Sequence, residues 1–133
     1  MSEPNPRPPL SKAQLEIMQV VWQRGEATVA EVWKALQERR PVARNTVLTT
    51  LARLEEKGWL TRDVLERAHR YRAAAPREAT LGAMIDRLVD TAFGGSAEGL
   101  VLALLEGRGV SNKEADAIRA MIDQAETRRR RRS

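Results

Sequence analysis

Apolar residues recur every three or four positions along most of the chain, a spacing that predicts amphipathic helices. Ser11 and Gln14 form a capping-box pattern at the start of the first helix, and Gly25 follows its end. Thr28 and Glu31 repeat the pattern for a second helix. The chain is therefore predicted to open with two short helices separated by a turn.

A third helix is predicted over residues 43–57. Its buried positions, which recur at helical spacing, would be Val47, Leu48, Leu51 and Leu54. The opposite face has no carboxylate before Glu55. Arg can pair with guanine, Asn with adenine, and Thr can reach a phosphate or a thymine methyl group, so this face suits DNA, the alternative being an ordinary solvated helix face. The candidate DNA-contacting residues are Arg44, Asn45, Thr46, Thr49, Thr50 and Arg53.

After Gly58, which suits the left-handed position at a helix end, alternation of apolar and polar residues predicts strands over residues 59–64 and 69–73. The inward-pointing side chains would be Leu60, Val64 and Tyr71. The candidate DNA contacts in this hairpin are Arg62, Arg67, His69 and Arg70, with a purely structural role as the alternative for His69. Three helices followed by a basic hairpin is the order of a winged helix-turn-helix domain, predicted here over residues 10–75.

Pro76 marks the predicted domain boundary, beyond which residues 76–127 have an all-helical pattern. So short a helical segment buries too little surface to fold alone, which predicts a homodimer; the alternative is that these helices fold back on the first domain. Residues 100–105, LVLALL, are apolar on every side and are predicted to be buried by more than one helix. The predicted dimerisation residues are Leu81, Ile85, Leu88, Leu100, Leu102, Leu104, Ile118 and Ile122.

The predicted fold class is thus mainly α with a β wing: a winged helix-turn-helix domain followed by a small all-helical dimerisation domain. Charge supports this division, because residues 39–75 hold nine Lys or Arg against four Asp or Glu, whereas residues 76–127 hold five against nine. The basic part suits a polyanion. Residues 1–9, with four prolines, are predicted to be a disordered tail. A second disordered, basic tail is predicted over residues 128–133, with contact to the DNA backbone as its second interpretation.

Composition excludes several classes of protein. The absence of Cys excludes thiolate metal sites, and a single His leaves no imidazole cluster within a subunit, so no metal or cofactor is expected. No catalytic residues are found, because the chain has neither a glycine-rich phosphate loop nor a paired carboxylate site. No apolar run approaches the roughly 20 residues of a membrane span, and no signal core begins the chain. A cytoplasmic protein without membrane insertion is expected.

Four segments, in this order and spacing, resemble the penicillinase and methicillin-resistance repressor family of transcriptional regulators: LSKAQLEIMQVVW, NTVLTTLARLEEKGWLTR, AHRYRA and LVLALLEGRGVSNKEADAIRAMI. The resemblance implies a homodimeric repressor that binds a palindromic operator in double-stranded DNA. It also implies a recognition helix over residues 43–57 and a wing over residues 62–72.

The chain departs from that family at three places. Many relatives carry Lys at the position of Asn45, so the base read there is expected to differ. The β-lactam-responsive members are cleaved at an Asn-Phe bond under the control of a membrane sensor, but residues 93–98 read FGGSAE. The copper-responsive members use a Cys cluster, which this chain lacks. A sensor protease is therefore at most an indirect partner.

The competing interpretation is a winged-helix protein-interaction module without specific DNA binding. The acid-free stretch over residues 39–54 argues against it, because a polyanion is the partner that such a stretch suits.

Overall fold

The structure, a computed structural model, describes residues 7–65 and 68–132. Within those ranges the elements are α1 (Lys12–Arg24), β1 (Glu26–Thr28), α2 (Val29–Gln37), α3 (Arg44–Glu56), β2 (Leu60–Leu65), β3 (Ala68–Ala73), α4 (Arg77–Ala92), α5 (Ala97–Glu106) and α6 (Asn112–Arg132). The predicted fold class, mainly α with a small antiparallel sheet, is confirmed. The chain divides into two compact units, one that extends to Ala83 and one that begins at Met84. The domain boundary at Pro76 stays a prediction.

Both predicted capping boxes are present. The Ser11 hydroxyl accepts a hydrogen bond from the Gln14 N–H at 3.1 Å, and the Gln14 side chain accepts one from the Ser11 N–H at 2.9 Å. Thr28 and Glu31 make the same reciprocal pair at the start of α2. Gly58 has a φ of +87°, which is the left-handed conformation predicted for the end of α3. Local sequence signals therefore define where the first three helices begin and end.

The core of the first unit lies between α1, α2, α3 and the sheet. Leu60 and Tyr71 are buried in it, as predicted. Ile17 and Val20 of α1 are buried with them. The complete set of buried apolar residues is Ile17, Met18, Val20, Val21, Ala27, Val32, Leu36, Val47, Leu51, Leu54, Trp59, Leu60, Tyr71 and Ala75.

Two residues predicted to point inward are exposed. Leu48 of α3 is 44% exposed and Val64 of β2 is 62% exposed. The buried stripe of α3 is narrow and consists of Val47, Leu51 and Leu54. Leu48 is rotated around the helix axis beyond the edge of this stripe, so the core does not cover it completely. Val64 lies toward the end of the hairpin, opposite His69, where the helices no longer cover the sheet.

The sheet contains a strand that the sequence pattern does not reveal. β3 pairs antiparallel with both β1 and β2, which gives the strand order β1-β3-β2. β1 has only three residues, which are too few to show an alternating pattern of apolar and polar side chains. It is a strand because it hydrogen-bonds to the free edge of β3. Ala27 of β1 lies opposite Tyr71 and is fully buried. Because α2 begins directly after β1, this pairing holds the start of α2 against the wing.

All three tryptophans are half-buried or buried, and each donates its indole N–H to a backbone carbonyl oxygen. Trp22 donates to Ala75 at 2.9 Å, and Trp33 donates to Val42 at 2.8 Å. Because a buried indole N–H without an acceptor is destabilising, these bonds allow the rings to pack in and around the core.

The third of these bonds ties the N-terminal segment to the winged domain. Trp59 donates to the Pro8 carbonyl oxygen at 3.0 Å, and the Arg7 Nε donates to the Gly58 carbonyl oxygen at 2.7 Å. The Arg7 guanidinium also lies over the Trp59 ring, 5.5 Å from its centroid. The prediction of a disordered tail over residues 1–9 is therefore wrong for residues 7–9, because partners distant in sequence hold them; residues 1–6 lie outside the described part.

Replacing Arg7 by Ala should lower the free energy of unfolding by about 1 kcal/mol, because the variant can form neither the hydrogen bond to the end of α3 nor the cation–π interaction. Urea denaturation followed by Trp fluorescence measures the change. Arg39→Ala is the matched control, since Arg39 is an exposed Arg in the loop that follows α2. Equal stability of the two variants would contradict a stabilising role for Arg7.

In the second unit, the apolar segment over residues 100–105 is not buried within one chain. The side chains of Val101, Leu102, Leu104 and Leu105 are all exposed. One chain does not supply the predicted burial, because so few helices cannot surround a segment that is apolar on every side; burial by helices of a second copy stays a prediction. In the described part of the chain, no single helix is both long enough and apolar enough to cross a membrane. Together, α4 and α5 have the required length and apolar content, but the chain bends sharply between them.

The C-terminal arginines form part of α6, which continues through Arg132. The predicted disordered tail is thus wrong for residues 128–132. Arg is a good helix former, and cations in the last turn interact favourably with the helix dipole. Arg130 also pairs with Glu126 one turn earlier, at 3.3 Å.

Candidate nucleic-acid interface

The polar face of α3 is accessible along its whole length. Asn45, Thr49 and Arg53 follow one another at intervals of four residues, so they form one row along the helix, and all three are exposed. Arg44 and Thr46 flank the beginning of this row and are exposed as well. This row lies opposite the buried stripe of α3, which is the position a base-reading surface requires.

Thr50 differs from the other α3 candidates. It is half-buried, and its hydroxyl donates to the Thr46 carbonyl oxygen at 2.8 Å. Because its proton is used within the helix, Thr50 has only acceptor capacity left for a ligand.

The two arginines on α3 have their donors available. In residues 7–65 and 68–132, neither Arg44 nor Arg53 forms an ion pair or a side-chain hydrogen bond. By contrast, Arg40 pairs with Glu16. A guanidinium presents five N–H donors in a fixed fork, so an exposed Arg without a carboxylate partner can bind a planar acceptor pair.

The wing residues predicted to contact DNA do not share one face. Across the antiparallel pair of β2 and β3, Arg62 lies opposite the buried Tyr71, and His69 shares the face of Tyr71 two residues earlier in β3. Arg70 and Arg72 alternate with them and therefore lie on the other face of the sheet. Arg62 and His69 are thus on the side of the hairpin that carries the core contacts, whereas Arg70 is on the outer side.

One described wing arginine on each face of the hairpin, Arg62 or Arg72, is held by an ion pair. The Arg62 Nε lies 3.6 Å from a Glu55 carboxylate oxygen, and the Arg62 Nη1 lies 3.5 Å from the His69 Nδ1. These interactions join the wing to the last turns of α3. On the outer face, Arg72 pairs with Asp63. Arg67 lies outside the described residues.

Arg70 is close to a carboxylate. It lies opposite Thr28 across the β1 and β3 pair, near Glu31 of α2. The pKa of Glu31 is lowered chiefly by its hydrogen bond from the Thr28 N–H, with further contributions from Arg24, 3.0 Å away, and from Arg70. A lowered carboxyl pKa stabilises the fold above the unfolded-state pKa, and this stabilisation is lost as the pH falls through the folded-state pKa. Near neutral pH, Glu31 therefore partly offsets the charge of Arg70.

A cleft of about 300 Å³ lies where α2, α3 and the wing meet. Its lining residues are Thr28, Val29, Ala30, Arg44, Ala68 and His69. The cleft therefore brings Arg44 and His69, which are 25 positions apart in the sequence, to one surface. Sequence reasoning missed the contribution of α2, although the capping box at Thr28 marks the helix start that lies there.

The predicted dimerisation residues form an apolar set with little cover in one chain. Leu81 precedes the division between the two units, and the other seven residues follow it. Three members are half-buried: Leu81, Leu100 and Ile118. Five are exposed: Ile85, Leu88, Leu102, Leu104 and Ile122. In the part of the chain that the structure describes, no group of three or more His, Cys, Asp or Glu side chains is placed to hold a metal ion.

Comparison with known proteins identifies relatives of this chain. The penicillinase repressor family model matches residues 10–124. The transcriptional regulator BlaI of Mycobacterium tuberculosis is 36% identical over 112 residues, which cover 83% of this chain and 80% of that protein. The solution structure of the DNA-binding domain of the repressor BlaI matches with a TM-score of 0.50 and 30% identity, covering 54% of this chain and 88% of that domain. Wild-type apo MarR from E. coli, at 17% identity and a TM-score of 0.52, covers 87% of this chain and 77% of its own and shares the fold.

Proposed function

We propose that this chain, which belongs to the penicillinase repressor family of transcriptional regulators, acts as a homodimeric repressor on a palindromic DNA operator. The observation that carries the proposal is the exposed face of α3, which has no carboxylate before Glu55 and on which Arg44 and Arg53 have no side-chain partner among the described residues. A helix with this face can enter the major groove, where Arg and Asn read base edges.

The wing would follow the DNA backbone beside α3. Arg62 and His69 are on the core-facing side of the hairpin, and His69 shares a cleft with Arg44. The Arg62 guanidinium and the His69 imidazole on this face of the wing are suited to phosphates, which fix the register of the protein on the duplex without reading its sequence. Arg70 would contribute less, because it lies on the other face of the hairpin, where Glu31 is also near it.

The dimer would form through residues 76–127, with residues 10–75 as the DNA-binding domain. The supporting observation is the group of exposed apolar side chains on α4, α5 and α6, which a second copy could cover. A two-fold axis would present two α3 helices to major grooves one helical turn or a multiple apart, so the operator would be an inverted repeat.

Selection of double-stranded DNA from a random pool by the full chain tests this function. An inverted repeat, with half-sites spaced by one helical turn or a multiple, is the expected product. Enrichment of a single unrepeated site would contradict the dimeric arrangement. Failure to enrich any sequence at moderate salt, together with recovery of a protein partner in a separate pull-down from a cell extract, would favour a protein-interaction module.

Replacing Arg62 by Gln should weaken binding to specific and non-specific DNA alike. If Arg62 neutralises one phosphate per subunit, its removal reduces the slope of log affinity against log salt concentration by about 0.9 per subunit. Fluorescence anisotropy over a series of salt concentrations measures that slope. Arg72→Gln is the matched control, because Arg72 is in the same hairpin and is also ion-paired, with Asp63, but lies on the outer face. An equal reduction of the slope in both variants would show that the inner face of the wing has no special role.

A further inference from the structure

Leu48 is an exposed apolar residue at the edge of the polar face of α3, next to the buried stripe. Its neighbours in the chain, Val47 and Leu51, are fully buried, whereas Leu48 itself is 44% exposed. Residues three and four positions apart are neighbours on a helix, so Leu48 lies next to Asn45 and Arg44. The core therefore leaves a large part of this leucine uncovered.

The chemistry of the major groove offers one match for such a side chain. Base edges there present hydrogen-bond donors and acceptors, and the apolar group is the C5-methyl of thymine. Leu48 has no polar atom in its side chain, so it cannot bind any other feature of a base edge by a hydrogen bond. Two of its neighbours on α3, Arg44 and Asn45, are residue types that hydrogen-bond to base edges, so an apolar contact by Leu48 would lie directly beside polar ones.

We infer that Leu48 is a specificity-determining residue that contacts a thymine methyl group in each operator half-site. This inference rests on the proposed function, because it requires that α3 enter the major groove. The contacted thymine is expected within one or two base pairs of the base read by Asn45, since the two side chains are neighbours on the helix. The inference also means that this position contributes to sequence choice without any hydrogen bond.

Deoxyuridine, which lacks only the C5-methyl group, provides the test. In the duplex obtained by selection, each thymine of a half-site is replaced in turn by deoxyuridine, and the affinity of the full chain is measured. At one position the affinity should fall about fourfold per half-site, the effect of removing one buried methyl group from the interface. Leu48→Ala should bind the thymine and deoxyuridine duplexes at that position equally well.

Two further variants separate this role from a general defect. Leu48→Met keeps an apolar side chain of similar volume and should keep the sensitivity to deoxyuridine. Val64→Ala removes another exposed apolar side chain, from the wing, and should leave that sensitivity unchanged. Circular dichroism melting verifies that all variants fold.

Two results would overturn the inference while the proposed function stands. One is a wild-type chain that binds its selected operator but tolerates deoxyuridine at every position. The other is a Leu48→Ala variant that remains as sensitive as the wild type. If the wild-type chain selects no sequence at all, the proposed function fails and this inference fails with it.

Discussion

Replacing Leu102 by Asp is expected to make the protein monomeric and to lower its affinity for the operator by about 100-fold or more, the reduction that follows when two linked modules no longer bind together. Leu102 is 53% exposed on α5, among apolar side chains that one chain leaves uncovered. A carboxylate buried at an interface between copies is costly, because it loses its hydration without gaining a partner.

Sedimentation velocity gives the association state of this variant, and anisotropy with a labelled operator gives its affinity. Leu102→Met is the matched control, since it keeps an apolar side chain of similar volume and should remain dimeric. The fold of the first unit should be unaffected, because Leu102 belongs to the second unit. A monomeric Leu102→Asp protein that bound the operator with full affinity would overturn the requirement for two copies.

Replacing Asn45 by Ala, or Arg44 by Ala, should reduce discrimination at one base pair by about 1–3 kcal/mol per half-site, the range for a bidentate interaction with a base. Both side chains are exposed at the start of α3, and Arg44 has no side-chain partner among the described residues. The reduction should be confined to the base that each residue reads, because the remaining interactions are independent of it.

Competition binding against operators altered at single base pairs measures this relaxation. Arg44→Lys is the informative control: it keeps the charge, and hence the affinity for non-specific DNA, but loses the planar fork that recognises guanine. If Arg44→Lys retained full specificity, Arg44 would bind a phosphate and not a base. If Asn45→Ala discriminated between bases as well as the wild type does, Asn45 would not read a base.

The first unit could be predicted from sequence to the extent that its signals are local. The capping boxes at Ser11 and Thr28 and the left-handed Gly58 depend on residues a few positions apart, and all three are present in the structure. β1 and the interaction between Arg7 and Trp59 depend on partners more than 40 positions away. Periodicity carries no information about such pairs, so they became visible only in the structure.

The candidate site shows the same limit. The residue types on α3 followed from spacing, but the exposure of Leu48 depends on how wide a stripe the neighbouring elements cover. The division of Arg62 and Arg70 between two faces depends on the register across the hairpin, which the sequence pattern does not determine. The apolar segment over residues 100–105 predicted burial, yet one chain does not supply the surface that would bury it.

The mass of the complex between the full chain and its selected operator tests the central proposal most directly. Native mass spectrometry of a duplex that carries both half-sites should show two chains bound, with no substantial population of a one-chain complex. A duplex with a single half-site should bind far more weakly at the same protein concentration. One chain bound to the full operator, with an affinity equal to that for the half-site duplex, would contradict a homodimeric repressor.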